Sequence, residues 1–179
     1  MGIVELSNKE IFNLLENHNN LDRKLFTMHY GWNYPTKKSL NVIIKHTKDK
    51  SILEIGSGLG LWTRLLFNSG INITAVDNLS WKNNNYKFHE PIKIDALDAV
   101  KKYKTNVLLM SYPEIGGFCN SIMSYFKGDI LVYIGEVDSG MSCDDNFFEM
   151  LNKEWKVLEK VDIEHWDGIH DEVIIYRRI

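Results

Sequence analysis

The order of apolar and polar positions divides the chain into three stretches. In the first, Ser7 stands three residues before Glu10 in a capping box, and Ile11, Leu14 and Leu15 then share one helical face. Asn19 and Asn20 interrupt the pattern. A second helical stretch runs through Leu21, Leu25 and Met28, and Gly31–Pro35 reads as irregular. Thr36 caps a third predicted helix that carries Leu40, Ile43 and Ile44 and ends near Thr47. Residues 1–47 are therefore expected to form a helical arm or lid within the same domain as residues 48–179.

From residue 51 the pattern changes to short apolar runs: Ser51–Ile55, Ile71–Val76, Ile92–Ile94, Val107–Met110 and Ile130–Ile134. Helical segments near Leu61–Asn68, Ala96–Tyr103 and Gly117–Phe126 separate them. Continuous apolar runs alternating with helices predict parallel strands buried on both faces. After Asp144 and Asp145, Phe147, Phe148 and Leu151 mark one more helix. Trp155–Ile163 and Val173–Arg177 then read as strands with only a turn region between them, so they are expected to pair antiparallel. The predicted fold class is α/β: a Rossmann-like three-layer α/β/α sandwich, with a mainly parallel seven-stranded sheet that ends in a C-terminal antiparallel hairpin.

Composition narrows the function classes. The chain has 179 residues, enough for one domain with a sizeable core. Its net charge of -3 argues against a protein that grips nucleic acid through bulk charge. Two cysteines, Cys119 and Cys143, are too few for a disulfide framework or a four-ligand zinc site, which predicts a reduced, intracellular protein. No apolar run approaches the ~20 residues that cross a bilayer, and the N-terminus lacks signal-peptide character. A cytoplasmic location is expected, with no membrane partner and no metal, because the histidines are scattered.

The sharpest local feature is Glu54-Ile55-Gly56-Ser57-Gly58-Leu59-Gly60, placed where a strand hands over to a helix. Glycines let the backbone turn sharply and approach a ligand closely, and the helix start offers free N–H groups. Such a loop suits a pyrophosphate or the amino-acid part of a nucleoside ligand. In a dinucleotide fingerprint the third glycine stands five residues after the first; here that position is Leu61. No P-loop Gly-Lys-Ser/Thr is present. The next strand ends in Asp77, a carboxylate able to bind both ribose hydroxyls of either NAD or S-adenosylmethionine.

With these residues in place, the chain from about residue 36 onward resembles the class I S-adenosylmethionine-dependent methyltransferases. Glu54–Gly60 is similar to that family's first motif, and Asp77 to its ribose-binding acid. Asp95-Ala96 stands where the family often contacts adenine. The resemblance implies S-adenosyl-L-methionine as cofactor, held by Glu54, Gly56, Ser57, Gly58, Gly60, Trp62, Asp77, Asn78, Asp95, Ala96 and Ser111. Asp95 has a second reading as a helix N-cap. Further segments resemble a poorly characterised methyltransferase-like group with Y-x-W-x-x-P and W-x-G-I-H-D motifs: Tyr30-Gly31-Trp32-Asn33-Tyr34-Pro35, Trp62 and Arg64, Tyr133-Ile134-Gly135-Glu136, Asp144–Phe148, and Trp166–Asp171. The chain departs from it in one place. That group often has S-W-P-P-Y after the fourth strand, similar to the [DNS]-P-P-[YFW] element of amino-directed methyltransferases, whereas this chain has Ser111-Tyr112-Pro113-Glu114.

Methyl transfer is an in-line displacement in which the protein mainly positions the acceptor, helped by a base when the acceptor carries a proton. Ser111, Tyr112, Glu136 and His170 are the catalytic candidates, with Glu114 and Asp138 near the same strand ends. Glu136 is equally readable as a solvated loop carboxylate. His170, beside Asp171, has the pKa range of a general base. Tyr30, Trp32 and Tyr34 are candidates for a lid or acceptor wall, or for plain aromatic packing of the arm. The Lys82–Lys87 stretch, with Trp81 before it, is basic and aromatic but reads more simply as a solvated loop. The expected activity is methyl transfer to an unidentified acceptor, nitrogen before oxygen, on a small molecule or protein side chain in preference to nucleic acid. The alternatives are a non-catalytic S-adenosylmethionine-binding or partner-binding module and an NAD-type oxidoreductase.

Overall fold

The computed structural model describes residues 2–80, 86–137, 141–163 and 165–179. Asp138 and most of the Lys82–Lys87 stretch, together with Trp81, lie outside the described residues. In chain order the elements are β1 (Gly2–Ile3), α1 (Asn8–Asn17), α2 (Arg23–Tyr30), α3 (Lys37–Thr47), β2 (Ser51–Ile55), α4 (Leu61–Asn68), β3 (Asn72–Asp77) and β4 (Tyr86–Lys87). They continue with β5 (Ile92–Lys93), α5 (Ala96–Lys102), β6 (Val107–Ser111), α6 (Phe118–Tyr125), β7 (Ile130–Gly135), α7 (Asp145–Glu154), β8 (Trp155–Asp162) and β9 (Glu172–Arg178).

Helix starts follow local chemistry. Ser7 and Glu10 form the reciprocal capping box of α1, and Thr36 caps α3. Asp22, Asp95 and Asp144 each accept a backbone N–H from the first turn of α2, α5 and α7. The strands form a seven-stranded sheet in the order β5-β3-β2-β6-β7-β9-β8. The pairs from β5 to β7 are parallel, and β9 runs antiparallel to both β7 and β8. This is the predicted α/β/α sandwich with its terminal hairpin.

Alternation along the strands fills both faces. Ile52, Val107, Leu109, Val132, Ile134 and Ile175 face α1 to α4, and contribute to one apolar cluster with Ile11, Phe26, Ile43 and Leu65. Leu53, Leu108, Met110, Leu131, Tyr133 and Ile174 face the opposite layer of α5, α6 and α7, with Val100, Ile122 and Phe147. Residues of the N-terminal arm thus share a core with the sheet.

Three expectations change. Phe26 and Tyr30 are the buried residues of α2, while Leu25 and Met28 are exposed. Both sets obey helical spacing, and the aromatic face wins because Phe26 packs against Tyr34 and Trp166. Strand β5 is a two-residue sheet edge with both residues exposed, not a strand buried on both faces. Finally, Cys119 and Cys143 are joined in a disulfide, so the expectation of a reduced chain does not hold. The start of α6 and the segment after β7 bring their Cα atoms to 5.7 Å, within bridging range. No helix among the described residues is long and apolar enough to cross a membrane.

Candidate functional site

Strands β3 and β6 flank β2 on opposite sides, so the chain changes direction across the sheet at this point. Crevices in open α/β sheets form at the C-terminal strand ends beside such a reversal. Here a cavity of about 720 Å³ opens among the segments that follow β2, β3, β5 and β6. A smaller one of about 50 Å³ adjoins it, and the two share Trp32, Gly56, Gly58 and Ser111.

The glycine loop is shaped for this place. Gly56 and Gly58 have φ values of +65° and +55°, and a Cβ on either would enter open space. Gly60, at φ +74°, is required for a second reason: a Cβ there would sit 2.7 Å from the His89 Cβ and carbonyl oxygen. The His89 segment is fixed to the loop by Phe88 N–H donating to the Leu59 carbonyl at 2.8 Å and by Arg64 Nε donating to the Phe88 carbonyl at 2.6 Å.

Two strand-end carboxylates bracket the loop. Asp77 Oδ2 accepts Gly58 N–H at 2.9 Å, and Oδ1 accepts Leu79 N–H at 2.6 Å. Asp77 therefore holds the loop while lining the large cavity. Glu54 is fully buried, accepts the Thr63 hydroxyl and lines the small cavity. Burial pushes its carboxyl up to about 7; the Thr63 bond opposes this and the nearby Asp77 charge adds to it. Ser57 Oγ, in a residue lining the same small cavity, is buried without a hydrogen-bond partner among the described residues. Glu54 and Ser57 thus bring a buried acid and an unpaired buried hydroxyl to one small cavity, a donor set that fits a polar, preferably cationic, group.

Of the other expected cofactor residues, Trp62 lines the small cavity, and Asn78, Asp95 and Ala96 line the large one with Ile94 and Phe118. Asp95 is also the N-cap of α5, its Oδ1 accepting Leu97 N–H at 2.8 Å, so both readings of it coexist. Lys87 and Glu90, ion-paired at 3.0 Å, also line the large cavity.

The junction of the two cavities is built around Ser111 and its neighbour Tyr112. The Trp32 and Tyr112 rings stack with centroids 5.2 Å apart and planes at 4°. Arg23 lies over both and donates from Nη2 to the Tyr112 hydroxyl at 2.8 Å. Tyr112 adopts φ +48°, an uncommon conformation for a bulky residue. Ser111 Oγ donates to Asn33 Oδ1 at 2.6 Å. Tyr30 and Trp32 reach the cavities, whereas Tyr34 packs on His165 and Phe26 in the arm. Glu136 and His170 line neither of these two cavities; a Glu136 carboxylate oxygen accepts the His170 backbone N–H at 2.7 Å.

Sequence reasoning did not find Thr63, Arg23, Asn33 or Asp171 as members of this site. Only Asn33, inside the Y-x-W-x-x-P segment, and Asp171, inside W-x-G-I-H-D, stood within any recognisable signal.

No family model matches the chain, and no curated protein matches it. Solved structures do. The 1,6-didemethyltoxoflavin-N1-methyltransferase of Burkholderia thailandensis, solved with 1,6-didemethyltoxoflavin and S-adenosylhomocysteine, superposes with a TM-score of 0.59 at 12% identity, covering 98% of this chain and 92% of that one. The N-methyltransferase NodS of Bradyrhizobium japonicum, with S-adenosyl-L-homocysteine, gives 0.57 at 13% identity over 93% and 97%. A SAM-dependent methyltransferase of Archaeoglobus fulgidus gives 0.52 at 15% identity over 93% and 99%. At these identities the likeness is one of fold: the chain has the Rossmann-like fold that these S-adenosylmethionine-dependent methyltransferases share.

Proposed function

We propose that the protein is an S-adenosylmethionine-dependent methyltransferase acting on an amine-type acceptor of small size. The observation that carries this reading is the pair of joined cavities bracketed by Glu54 and Asp77, set in that fold. The large cavity suits a nucleoside, with Asp77 placed for ribose hydroxyls and Ile94, Ala96 and Phe118 for a base. The small cavity suits an amino-acid end, with Glu54 opposite its ammonium and Ser57 Oγ free to bond it. Where the two meet, Ser111, Trp32 and Tyr112 face the acceptor.

When bound, the cofactor supplies an electrophilic methyl group and the driving force for its transfer. The chain's own residues orient and exclude water. Trp32, Tyr112 and Arg23 form a wall over the junction, and Ser111 is placed to align the incoming atom. Glu136 holds the turn that carries His170 and Asp171, which makes it a support for the acceptor side.

A second reading has one specific observation in its favour. The chain has Glu114-Ile115 where amino-directed methyltransferases have Pro-aromatic after the polar residue, which suits a module that binds the cofactor without transferring its methyl group. Incubation with methyl-labelled S-adenosylmethionine and panels of small amines, phenols and peptides separates the two. Label in an amine supports transfer. Tight cofactor binding with no label in any panel supports the binding module.

A further inference from the structure

Asn33 and Asp171 stand 138 residues apart in sequence, yet they are bonded to each other and are each only 2% exposed. Asn33 Nδ2 donates to Asp171 Oδ2 at 2.7 Å, and Asn33 Oδ1 accepts the Ser111 hydroxyl at 2.6 Å. The polarity of this chain follows from its far end. An ionised carboxylate has acceptor lone pairs only, so Asn33 must turn its NH₂ toward Asp171 and its oxygen toward Ser111. A serine hydroxyl has one proton. With that proton on Asn33, Ser111 presents lone pairs alone to the cavities that it lines.

We propose that Asp171 and Asn33 are positioning residues that lock Ser111 as a hydrogen-bond acceptor at the junction of the two cavities, so that the site selects an acceptor group presenting an N–H. The proposal rests on the methyltransferase reading for the purpose of the cavity, but not for the polarity of Ser111. An amide set between carboxylate and hydroxyl does not relay protons, so Ser111 orients its partner and does not deprotonate it. That suits an amine, whose lone pair attacks without a prior proton loss, better than a hydroxyl.

The charge on Asp171, on which the lock depends, is set by surroundings that together raise its carboxyl above the usual range, and its Oδ1 is buried without a hydrogen-bond partner among the described residues. Burial pushes its carboxyl up, the Asn33 bond and the Arg23 guanidinium from α2 hold it down, and Glu136 beyond β7 adds to the rise. Tyr133 on β7 also lies within electrostatic reach. Once Asp171 is protonated it gains a donor, Asn33 is free to turn, and the lock on Ser111 is released. The amine preference is therefore present above the titration of Asp171 and lost below it.

Neutron crystallography of deuterated protein reads the lock directly. A deuterium on Ser111 Oγ directed at Asn33 Oδ1 is expected; a deuterium on the Asn33 amide directed at Ser111 Oγ overturns the proposal. The functional arm uses protein loaded with S-adenosylhomocysteine and two probes, aniline and N,N-dimethylaniline, which lacks an N–H. Wild type should favour aniline by about tenfold, and Asp171→Asn, in which the amide can turn, should reduce that to about twofold. A preference untouched by Asp171→Asn, or absent from wild type, overturns it. The neutron arm needs no cofactor. Failure to bind S-adenosylhomocysteine therefore counts against the methyltransferase reading, while the deuterium position decides the lock.

Discussion

Asp77 and Gly58 are joined directly: the carboxylate at the end of β3 accepts the glycine-loop N–H at 2.9 Å. The acid expected to bind a ribose therefore also shapes the loop on the neighbouring strand. Its second oxygen accepts Leu79 N–H, so the carboxylate is held in one orientation before any ligand arrives.

Asp77→Ala removes the loop support seen here and, on the proposed reading, ribose recognition with it. Hydrogen bonds to a charged group contribute about 1.5–3 kcal/mol each, so affinity for S-adenosylhomocysteine should fall by about 100-fold. Calorimetry on the variant checks this. Unchanged affinity would show that Asp77 does not touch the ligand.

Glu54 makes stability depend on pH. Its folded pKa of about 7 exceeds the 4.5 of an ordinary glutamate, so the folded state holds the proton more tightly than the unfolded state. The resulting stabilisation is fully present below pH 4.5 and is lost as pH rises through 7, a change of about 3 kcal/mol. Urea denaturation at pH 5 and pH 8 should show this drop in the free protein and not in Glu54→Gln. A cofactor ammonium beside Glu54 should reverse the drop in wild type.

The two glycines should separate stability from binding. In Gly60→Ala the new Cβ meets the His89 backbone at 2.7 Å, and the variant should lose about 2–4 kcal/mol of folding stability. In Gly58→Ala the Cβ enters open space at φ +55°, so the fold should lose only about 1 kcal/mol while cofactor affinity falls. Chemical denaturation and calorimetry on both variants measure the contrast.

The disulfide ties the start of α6 to the segment before α7 across a sequence separation of 24. Closing a loop of that length in the unfolded chain is worth about 3 kcal/mol. The Cys119→Ala/Cys143→Ala protein should melt lower than oxidised wild type, and a thiol reductant should lower wild type to match. Calorimetric melts with and without reductant test it.

Local chemistry in this chain is open to reading because short-range rules govern it. The capping box at Ser7, the range of α4 and the antiparallel hairpin follow from residues a few positions apart. The glycine loop and Asp77 were legible because a ligand-binding turn and a strand tip each need particular residue types. The contact between them was not, since nothing near Gly58 in sequence names its partner. Asn33, Ser111 and Asp171 show the same limit on a larger scale, because a bond across 138 residues exists only once the arm has docked on the sheet. The bond between Cys119 and Cys143 is hidden from the sequence for this reason too: a count of two says nothing of their distance. The face of α2 was ambiguous because Leu25 with Met28 and Phe26 with Tyr30 both fit a helical stripe, and tertiary packing chose between them.

The most direct test of the central claim is calorimetric titration of the wild-type protein with S-adenosylmethionine, S-adenosylhomocysteine and NAD. The two S-adenosyl compounds should bind one site in competition with each other, and NAD should give no heat. Saturable NAD binding without S-adenosyl binding would contradict the account.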